Sequence, residues 1–165
     1  MQQIKATRGA FAAVLNDGSV VTWGDPEFAG DSSAVKARLR NVQQIQGSDR
    51  AFATILANGS VVSWGAPSFG GDSSAVQRQL SNVQQIQATE SAFAAILADG
   101  SVVTWGCSRT GGDSSAVQEQ LIKVEHVQAT CGAFAAVLAD GSIVTWGDAG
   151  RGGDSSAVQD FHQCL

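Results

Sequence analysis

Two side chains of catalytic type, His126 and Cys131, lie close together in the sequence, and a cysteine beside a histidine can act as an activated nucleophile. The other histidine is His162, and the other cysteines are Cys107 and Cys164. None of these residues recurs in the sequence repeat described below, so a catalytic dyad or a histidine metal site in every repeat is excluded. We assign no catalytic residue and interpret the cysteines as free thiols.

Four aspartates stand in register, each before Ser-Ser-Ala-Val: Asp31, Asp72, Asp113 and Asp154. A ring of carboxylates can hold a cation, but calcium loops supply several oxygens in a D-x-D-x-D-G spacing that this chain lacks. We predict that each aspartate caps a short helix or helical turn.

The serine pairs lack a G-x-S-x-G context, and the Gly-Gly-Asp stretches lack the lysine of a phosphate loop. The sequence therefore predicts no metal and no cofactor.

The segments that vary between repeats are better candidates for binding. One is the turn before the apolar strand, and the other is the loop after each Trp-Gly pair. A rigid scaffold displays its binding residues on such loops, and an apolar loop residue such as Phe28 or Phe69 is a strong contact candidate. The candidate binding residues are Arg8, Asp49, Arg50, Glu90, Glu27, Phe28, Phe69, Arg109 and Arg151.

Composition argues against several kinds of partner. The net charge is −5, and the ten basic residues are scattered singly, so no basic stripe for nucleic acid exists. No apolar run approaches the ~20 residues that span a bilayer, and no secretion leader follows Met1. We expect no membrane partner and a soluble protein of the cytoplasm, with the nucleus as the alternative location.

The loops are positioned by a tandem repeat. Four tryptophans recur every 41 residues, each closing a segment of the form AFAAVL-x-(D/N)-G-S-V-V-T-W-G: Trp23, Trp64, Trp105 and Trp146. Repeats at 2–42, 43–83, 84–124 and 125–165 account for the chain after Met1, which predicts a single repeat domain over 1–165.

Each repeat is predicted to form three strands and a helical turn. In the third repeat, strands at 83–89, 92–98 and 101–106 surround Asp99-Gly100, a pair typical of a type I′ hairpin turn. The middle strand is apolar on both faces, which predicts that it packs between two sheets and that Trp105 belongs to the core. A fourth outer strand in place of the helical turn is the alternative.

The run from Gly71 to Gly106 resembles the regulator-of-chromosome-condensation repeat family, and the resemblance extends over all four repeats. It implies β-propeller blades, each with a D-G hairpin, a V-x-x-W-G strand and a glycine-rich loop. Such repeats occur in nucleotide-exchange factors for small GTPases, in large ubiquitin ligases and in the plant ultraviolet-B receptor. This chain departs from the family in its shorter repeat, in having four repeats where seven blades are typical, and in lacking the usual histidine before the apolar strand.

We predict an all-β fold with short helical turns, arranged as a four-repeat, β-propeller-like toroid. Four blades lie at the lower end of the usual ~4 to 8. Open arrays usually have polar caps, yet the first repeat begins with apolar IKATRGAFAAVL, which favours closure. Leu165 occupies the position of Val42, so closure would bring Leu165 to Gln2. The alternatives are an open repeat array and a ring completed by oligomerisation.

The leading functional hypothesis is a non-enzymatic scaffold that binds another protein through its blade loops, with a homo-oligomer as a further assembly. One alternative is a glycan-binding, lectin-like propeller, which needs exposed aromatic residues in register; Thr110 and Arg151 interrupt the register of Phe28 and Phe69. The other alternative is a designed or reconstructed repeat protein without a ligand.

Overall fold

Four antiparallel sheets of three strands each make up the chain in a computed structural model, which describes residues 1–159. We call these sheets blade 1 to blade 4 in chain order. The strands are β1 (Gln3–Ala6), β2 (Ala10–Val14), β3 (Val20–Gly24), β4 (Val42–Gly47), β5 (Ala51–Leu56), β6 (Val61–Gly65), β7 (Val83–Ala88), β8 (Ala92–Leu97), β9 (Val102–Gly106), β10 (Val124–Ala129), β11 (Ala133–Leu138) and β12 (Ile143–Gly147). The all-β fold with three strands per repeat is confirmed, and residues 1–159 hold no fourth strand in any blade.

The hairpin between the second and third strands forms where it was predicted, but with a different turn. In blade 3 the Gly100 N–H donates to the Leu97 carbonyl and the Leu97 N–H donates to the Ser101 carbonyl, both at 2.9 Å. Only the glycine has a positive φ, +79°, so the type I′ prediction is wrong. The geometry is a three-residue loop with a left-handed glycine at its end. The Asp99 carboxylate holds this loop together, because it accepts hydrogen bonds from the N–H and the hydroxyl of Ser101, at 2.9 and 2.6 Å.

The connectors between blades contain short helical turns, as predicted. Three-residue 3₁₀ helices lie at Pro26–Phe28, Lys36–Arg38, Pro67–Phe69, Ser74–Val76, Ser108–Thr110, Gln118–Gln120 and Ala149–Arg151, and an α-helical turn lies at Ser156–Gln159. The aspartates are not the N-caps of the three connector 3₁₀ helices, whose N-cap residues are Val35, Ser73 and Val117 without a side-chain cap bond, so this prediction is corrected. Each aspartate instead closes a local turn by accepting the N–H two residues on, as Asp72 does from Ser74 at 2.9 Å. The turns are shorter than the two helical turns that the sequence indicated. The side chains of Gln77 and Gln118 donate back to the carbonyls of Val61 and Val102, each at 3.0 Å.

The core lies between blades, not within them. On one face of blade 2, Ala51, Ala53, Ile55 and Val61 pack against aromatic and branched residues of blade 3, and the same arrangement joins blades 1 and 2 and blades 3 and 4. In each blade the phenylalanine of the middle strand stands opposite the tryptophan of the outer strand, with ring centroids 5.3 to 5.4 Å apart. Middle strands that are apolar on both faces are therefore explained by a sheet on either side.

The tryptophans tie each blade to the one before it. The indole N–H of Trp64 donates to the Ala29 carbonyl at 3.1 Å, that of Trp105 to Gly70 at 3.0 Å, and that of Trp146 to Gly111 at 3.0 Å. These three side chains are 4 to 5% exposed, which confirms the core prediction for blades 2 to 4. Trp23 differs: it is 45% exposed.

The four blades form an open array, which corrects the prediction of a ring closed within one chain. All extensive contacts between strands of different blades join successive blades. Inner, middle and outer strand residues such as Ile45, Phe52 and Trp64 are buried in one interface, so neighbouring sheets pack across their full width. A four-blade ring needs a quarter turn between sheets, which would separate their outer strands. The predicted meeting of Leu165 with Gln2, together with His162 and Cys164, lies outside the described residues.

The interblade tryptophans should differ in their contribution to stability according to their position in the array. We expect Trp105→Ala to lower the free energy of unfolding by about 3 to 5 kcal/mol, because a buried aromatic residue is lost. Trp23→Ala removes the same side chain from the same blade position, where it is half exposed, and should cost less than half as much. Urea denaturation of both variants in dilute protein measures the difference, and equal losses would contradict the open array.

Acid should weaken the hairpin turns. The pKa of the Asp17, Asp99 and Asp140 carboxyls lies below the ordinary 3.8, first because of the hydrogen bond from the serine hydroxyl two residues on. A lowered pKa in the folded state means that the stabilisation is complete above the unfolded-state value and is lost as the pH falls through the folded-state value. Asn58 makes the same hydrogen bonds without a charge, at 3.0 and 2.7 Å.

We therefore expect a variant with all three aspartates replaced by asparagine to lose less thermal stability than the parent chain below about pH 4. Thermal midpoints measured from neutral to acidic pH test this expectation. If the thermal midpoints of both proteins fell equally with pH, these turns would not be the cause of the pH dependence of stability.

Candidate functional site: the loop face

One end of every blade carries both variable segments. The turns between first and second strands and the loops after Trp-Gly both lie there, while the Asp-Gly turns lie at the other end, because successive strands run antiparallel. We call the first end the loop face; it comprises residues 7–9, 48–50, 89–91 and 130–132 and the loops 25–29, 66–70, 107–111 and 148–152. The opposite end, with the Asp-Gly turns, is the hairpin face.

A row of backbone hydrogen bonds links the blades along the inner edge of the loop face. The Arg8 N–H donates to the Asp49 carbonyl at 2.9 Å, Asp49 to Glu90 at 2.8 Å, and Glu90 to Cys131 at 2.9 Å. The predicted residues Arg8, Asp49 and Glu90 are thus neighbours. Beside them lies a depression of about 430 Å³ that is lined by all four blades.

Recurring hydroxyl groups hold the outer loops in place, and sequence reasoning missed them. Thr7 donates to the Phe28 carbonyl at 2.7 Å, Ser48 to Phe69 at 2.8 Å, Thr89 to Thr110 at 3.0 Å, and Thr130 to Arg151 at 2.7 Å. The sequence contains a pattern that could have predicted these bonds, because a serine or threonine stands at the same repeat position in all four repeats. These bonds fix the backbone next to the candidate side chains.

Arg50 lies between two predicted aromatic residues. Its guanidinium carbon is 4.6 Å from the ring centroid of Phe28 and 5.3 Å from that of Phe69. Both rings are half-buried against the interblade cores, so they are less exposed than the sequence indicated. The three side chains form one cluster across blades 1 and 2, in which the cation covers apolar surface.

A second cluster joins blades 3 and 4. Arg151 donates to the Glu90 carboxylate at 2.8 Å and lies 3.7 Å from the carboxylate of Asp148. The hydrogen bond to Glu90 raises the pKa of Arg151 above its ordinary value. The pair is exposed, so its contribution to stability is small and its groups remain accessible.

The remaining predicted residues, Glu27 and Arg109, are exposed on the outer loops, and within residues 1–159 neither forms a salt bridge. The structure thus brings seven of the nine candidates into two clusters and one row and leaves these two apart. The resulting surface alternates in charge and contains arginine and aromatic side chains, a composition typical of protein interfaces.

The arrangement does not join the catalytic-type residues. His126 lies inside β10, and Cys131 lies in the turn two residues beyond its last residue, Ala129, so about 16 Å of largely extended chain, at 3.3 Å per residue, separates them. The first serine of each Ser-Ser pair is structural: Ser32, Ser73, Ser114 and Ser155 are buried and bond the outer-strand hydroxyls at 2.9 to 3.0 Å. Among residues 1–159, no three His, Cys, Asp or Glu side chains are grouped as metal ligands, and no helix is long and apolar enough to cross a membrane.

Comparison with known proteins identifies the fold. Neither a protein-family model nor a curated protein matches the sequence. Solved structures do match. Human WBSCR16 is 16% identical with a TM-score of 0.61, over 88% of this chain and 47% of that protein. Prp20p from Saccharomyces cerevisiae, the yeast RCC1, is 15% identical with a TM-score of 0.63, over 87% of this chain and 43% of Prp20p. The computationally designed protein Ika4 is 15% identical with a TM-score of 0.50, over 88% and 89%.

The chain is therefore a β-propeller repeat protein. Its blades have the RCC1-like form that the sequence motif indicated, and the chain spans less than half the length of the two natural propellers. At these identities the likeness establishes the fold and leaves function to the residues of the loop face.

The Arg50 cluster offers a test of the loop face. We expect Arg50→Gln to lower the free energy of unfolding by about 0.5 to 1 kcal/mol, because a cation over two aromatic rings is lost. Arg109→Gln removes the same charge from an exposed loop and should leave stability unchanged. Urea denaturation of the two variants measures the difference, and equal effects would contradict a packed role for Arg50.

Proposed function

We propose that the chain is a non-enzymatic scaffold that binds another protein through its loop face. The observation that carries the proposal is the pair of clusters on that face, Arg50 with Phe28 and Phe69, and Glu90 with Arg151. Arginine and aromatic side chains dominate protein interfaces when they lie on a rigid frame. Here the frame is supplied by the hydroxyl bonds and the backbone row described above.

The RCC1-like propellers give the proposal context. Prp20p binds Gsp1p and histones, and it has also been solved in complex with Kap60. These partners belong to Prp20p, and we infer for this chain only the class of ligand, a protein surface. Cytoplasmic or nuclear location stays a prediction, and either compartment is compatible with a protein partner.

Charge and chemistry favour a protein over the alternatives. The loop face mixes arginines with carboxylates, so it lacks the uniform positive charge that nucleic acid requires. A lectin site needs aromatic platforms that recur in register, yet the recurring Phe and Trp residues of blades 2 to 4 are buried between sheets. The likeness to designed Ika4 keeps a ligand-free repeat protein as the competing proposal.

A pair of matched variants separates these proposals. The loop-face variant carries Arg50→Ala and Glu90→Ala, and the hairpin-face control carries Gln43→Ala and Gln84→Ala at two exposed strand positions. Proteins captured by the immobilised parent chain are identified by mass spectrometry, and the strongest is purified for calorimetry. We expect its affinity to fall at least tenfold with the loop-face variant and to be unchanged with the control.

Equal binding by both variants would refute the loop face as the site. Loss of binding only with the control would assign the site to the hairpin face. Absence of any specifically captured protein would favour the ligand-free alternative.

A further inference from the structure

The two ends of the array expose opposite halves of the same interface. On blade 1, Ile4, Phe11, Val21 and Trp23 are 43 to 47% exposed. The residues at the same positions of blades 2 to 4 are buried against the preceding blade, none more than 7% exposed. We call these four residues the blade-1 face. It has the composition of a core surface, and within residues 1–159 no blade covers it.

The other end of the array lacks its following neighbour. Ile143 of blade 4 is 36% exposed, whereas Val61 and Val102 at the same position are 0 and 1% exposed. Ala135 and Val137 are only half-buried, and their counterparts are buried. Gly152 is exposed, whereas the equivalent Ala29, Gly70 and Gly111 are buried under the next blade. We call residues 133, 135, 137, 143 and 152 the blade-4 face.

Polar groups at the two ends are complementary as well. The tryptophans of blades 2 to 4 donate to the carbonyls of residues 29, 70 and 111, and the next carbonyl in this register is that of Gly152. The backbone row runs from Arg8 to Cys131, so the Cys131 N–H and the Arg8 carbonyl are its open ends. Within residues 1–159, the Trp23 indole N–H and the Cys131 N–H have no acceptor.

We propose that two copies of the chain associate head to tail, with the blade-1 face of each copy on the blade-4 face of the other. Each new interface repeats the one that joins successive blades inside the chain. Trp23 then donates to the Gly152 carbonyl of the second copy, and Val21 meets Ile143, as Val62 shares a buried cluster with Val20. The complex is a closed ring of eight blades, within the usual range of ~4 to 8.

A second copy is the occupant that the structure specifies best. Three interfaces inside the chain show which side chains cover a blade-1 face, and the blade-4 face supplies the same small and branched residue types at positions 133, 135, 137 and 143. The contact is heterologous, so it either closes or polymerises, and reciprocal docking of two arcs leaves neither face exposed. A partner of different sequence would have to reproduce this surface independently.

Solution mass is the first measurement. Light scattering across a concentration series should give twice the 17.0 kDa of the chain. A chain that stays at 17.0 kDa at all concentrations, or one that grows without limit, would overturn the eight-blade ring. Parent and variants should have the same circular dichroism spectrum, since the substituted side chains are exposed in the single chain.

Single substitutions on each face give the decisive comparison. Val21→Lys alters only the blade-1 face and Ile143→Glu alters only the blade-4 face, so each variant alone should be monomeric. Gln84→Lys places the same charge at an exposed strand position away from both faces and should remain dimeric. If Ile143→Glu alone left the dimer intact while Val21→Lys dissociated it, blade 1 would be docking on blade 1 and the proposal would be wrong.

Mixing the two monomeric variants tests the pairing itself. A mixed dimer contains one unaltered interface and one that opposes lysine to glutamate, so the mixture should regain the dimeric mass. Trp23→Phe keeps an aromatic side chain but removes the indole N–H from both interfaces of the dimer, and it should raise the dissociation constant about thirtyfold. No recovery of dimer on mixing would overturn the head-to-tail assignment.

Discussion

The contact between successive blades is the interaction on which the rest of this structure depends. A three-stranded sheet with apolar residues on both faces cannot be stable alone in water, because each face must be covered. The stacked Phe and Trp of one blade cover the small residues of the blade before it, and the indole N–H satisfies a carbonyl that the same contact buries. Burial and hydrogen bonding therefore require the same neighbour.

The same contact also organises the loop face. Trp105 of blade 3 donates to the Gly70 carbonyl, and Ser48 of blade 2 donates to the adjacent Phe69 carbonyl, so the loop between these blades is held from both sides. The variable side chains can then change between repeats without altering the frame. Arg50 illustrates this freedom: serine or glycine stands at its position in the other repeats, and only in blade 2 does a cation reach Phe28 and Phe69.

Local pairing was predictable from the sequence, and geometry between repeats was not. The Asp-Gly pairs, the apolar middle strand and Trp105 predicted the hairpin and the core, since these depend on neighbours a few residues away. The prediction of a type I′ turn was wrong because the loop is held by a hydrogen bond to the Asp99 side chain and not by a left-handed backbone at Asp99. The prediction of a closed ring was wrong because the sequence period does not encode the angle between sheets. The period therefore could not predict that Phe11 and Trp23 are exposed. The Arg50 cluster was missed as a cluster, because its members come from different repeats.

The likeness of the three interfaces creates a problem for folding that the connectors solve. The surface of blade 1 that buries Phe52 and the surface of blade 3 that buries Phe134 are built from the same residue types, so side chains alone do not distinguish a correct neighbour from a wrong one. Each connector ends with a hydrogen bond of 2.9 Å to the preceding Asp-Gly or Asn-Gly turn, as Val83 donates to the carbonyl of Gly59. The short connector keeps the next blade at a far higher effective concentration near the preceding blade than any distant blade has there. Chain connectivity, and not recognition, therefore sets the order in which blades dock.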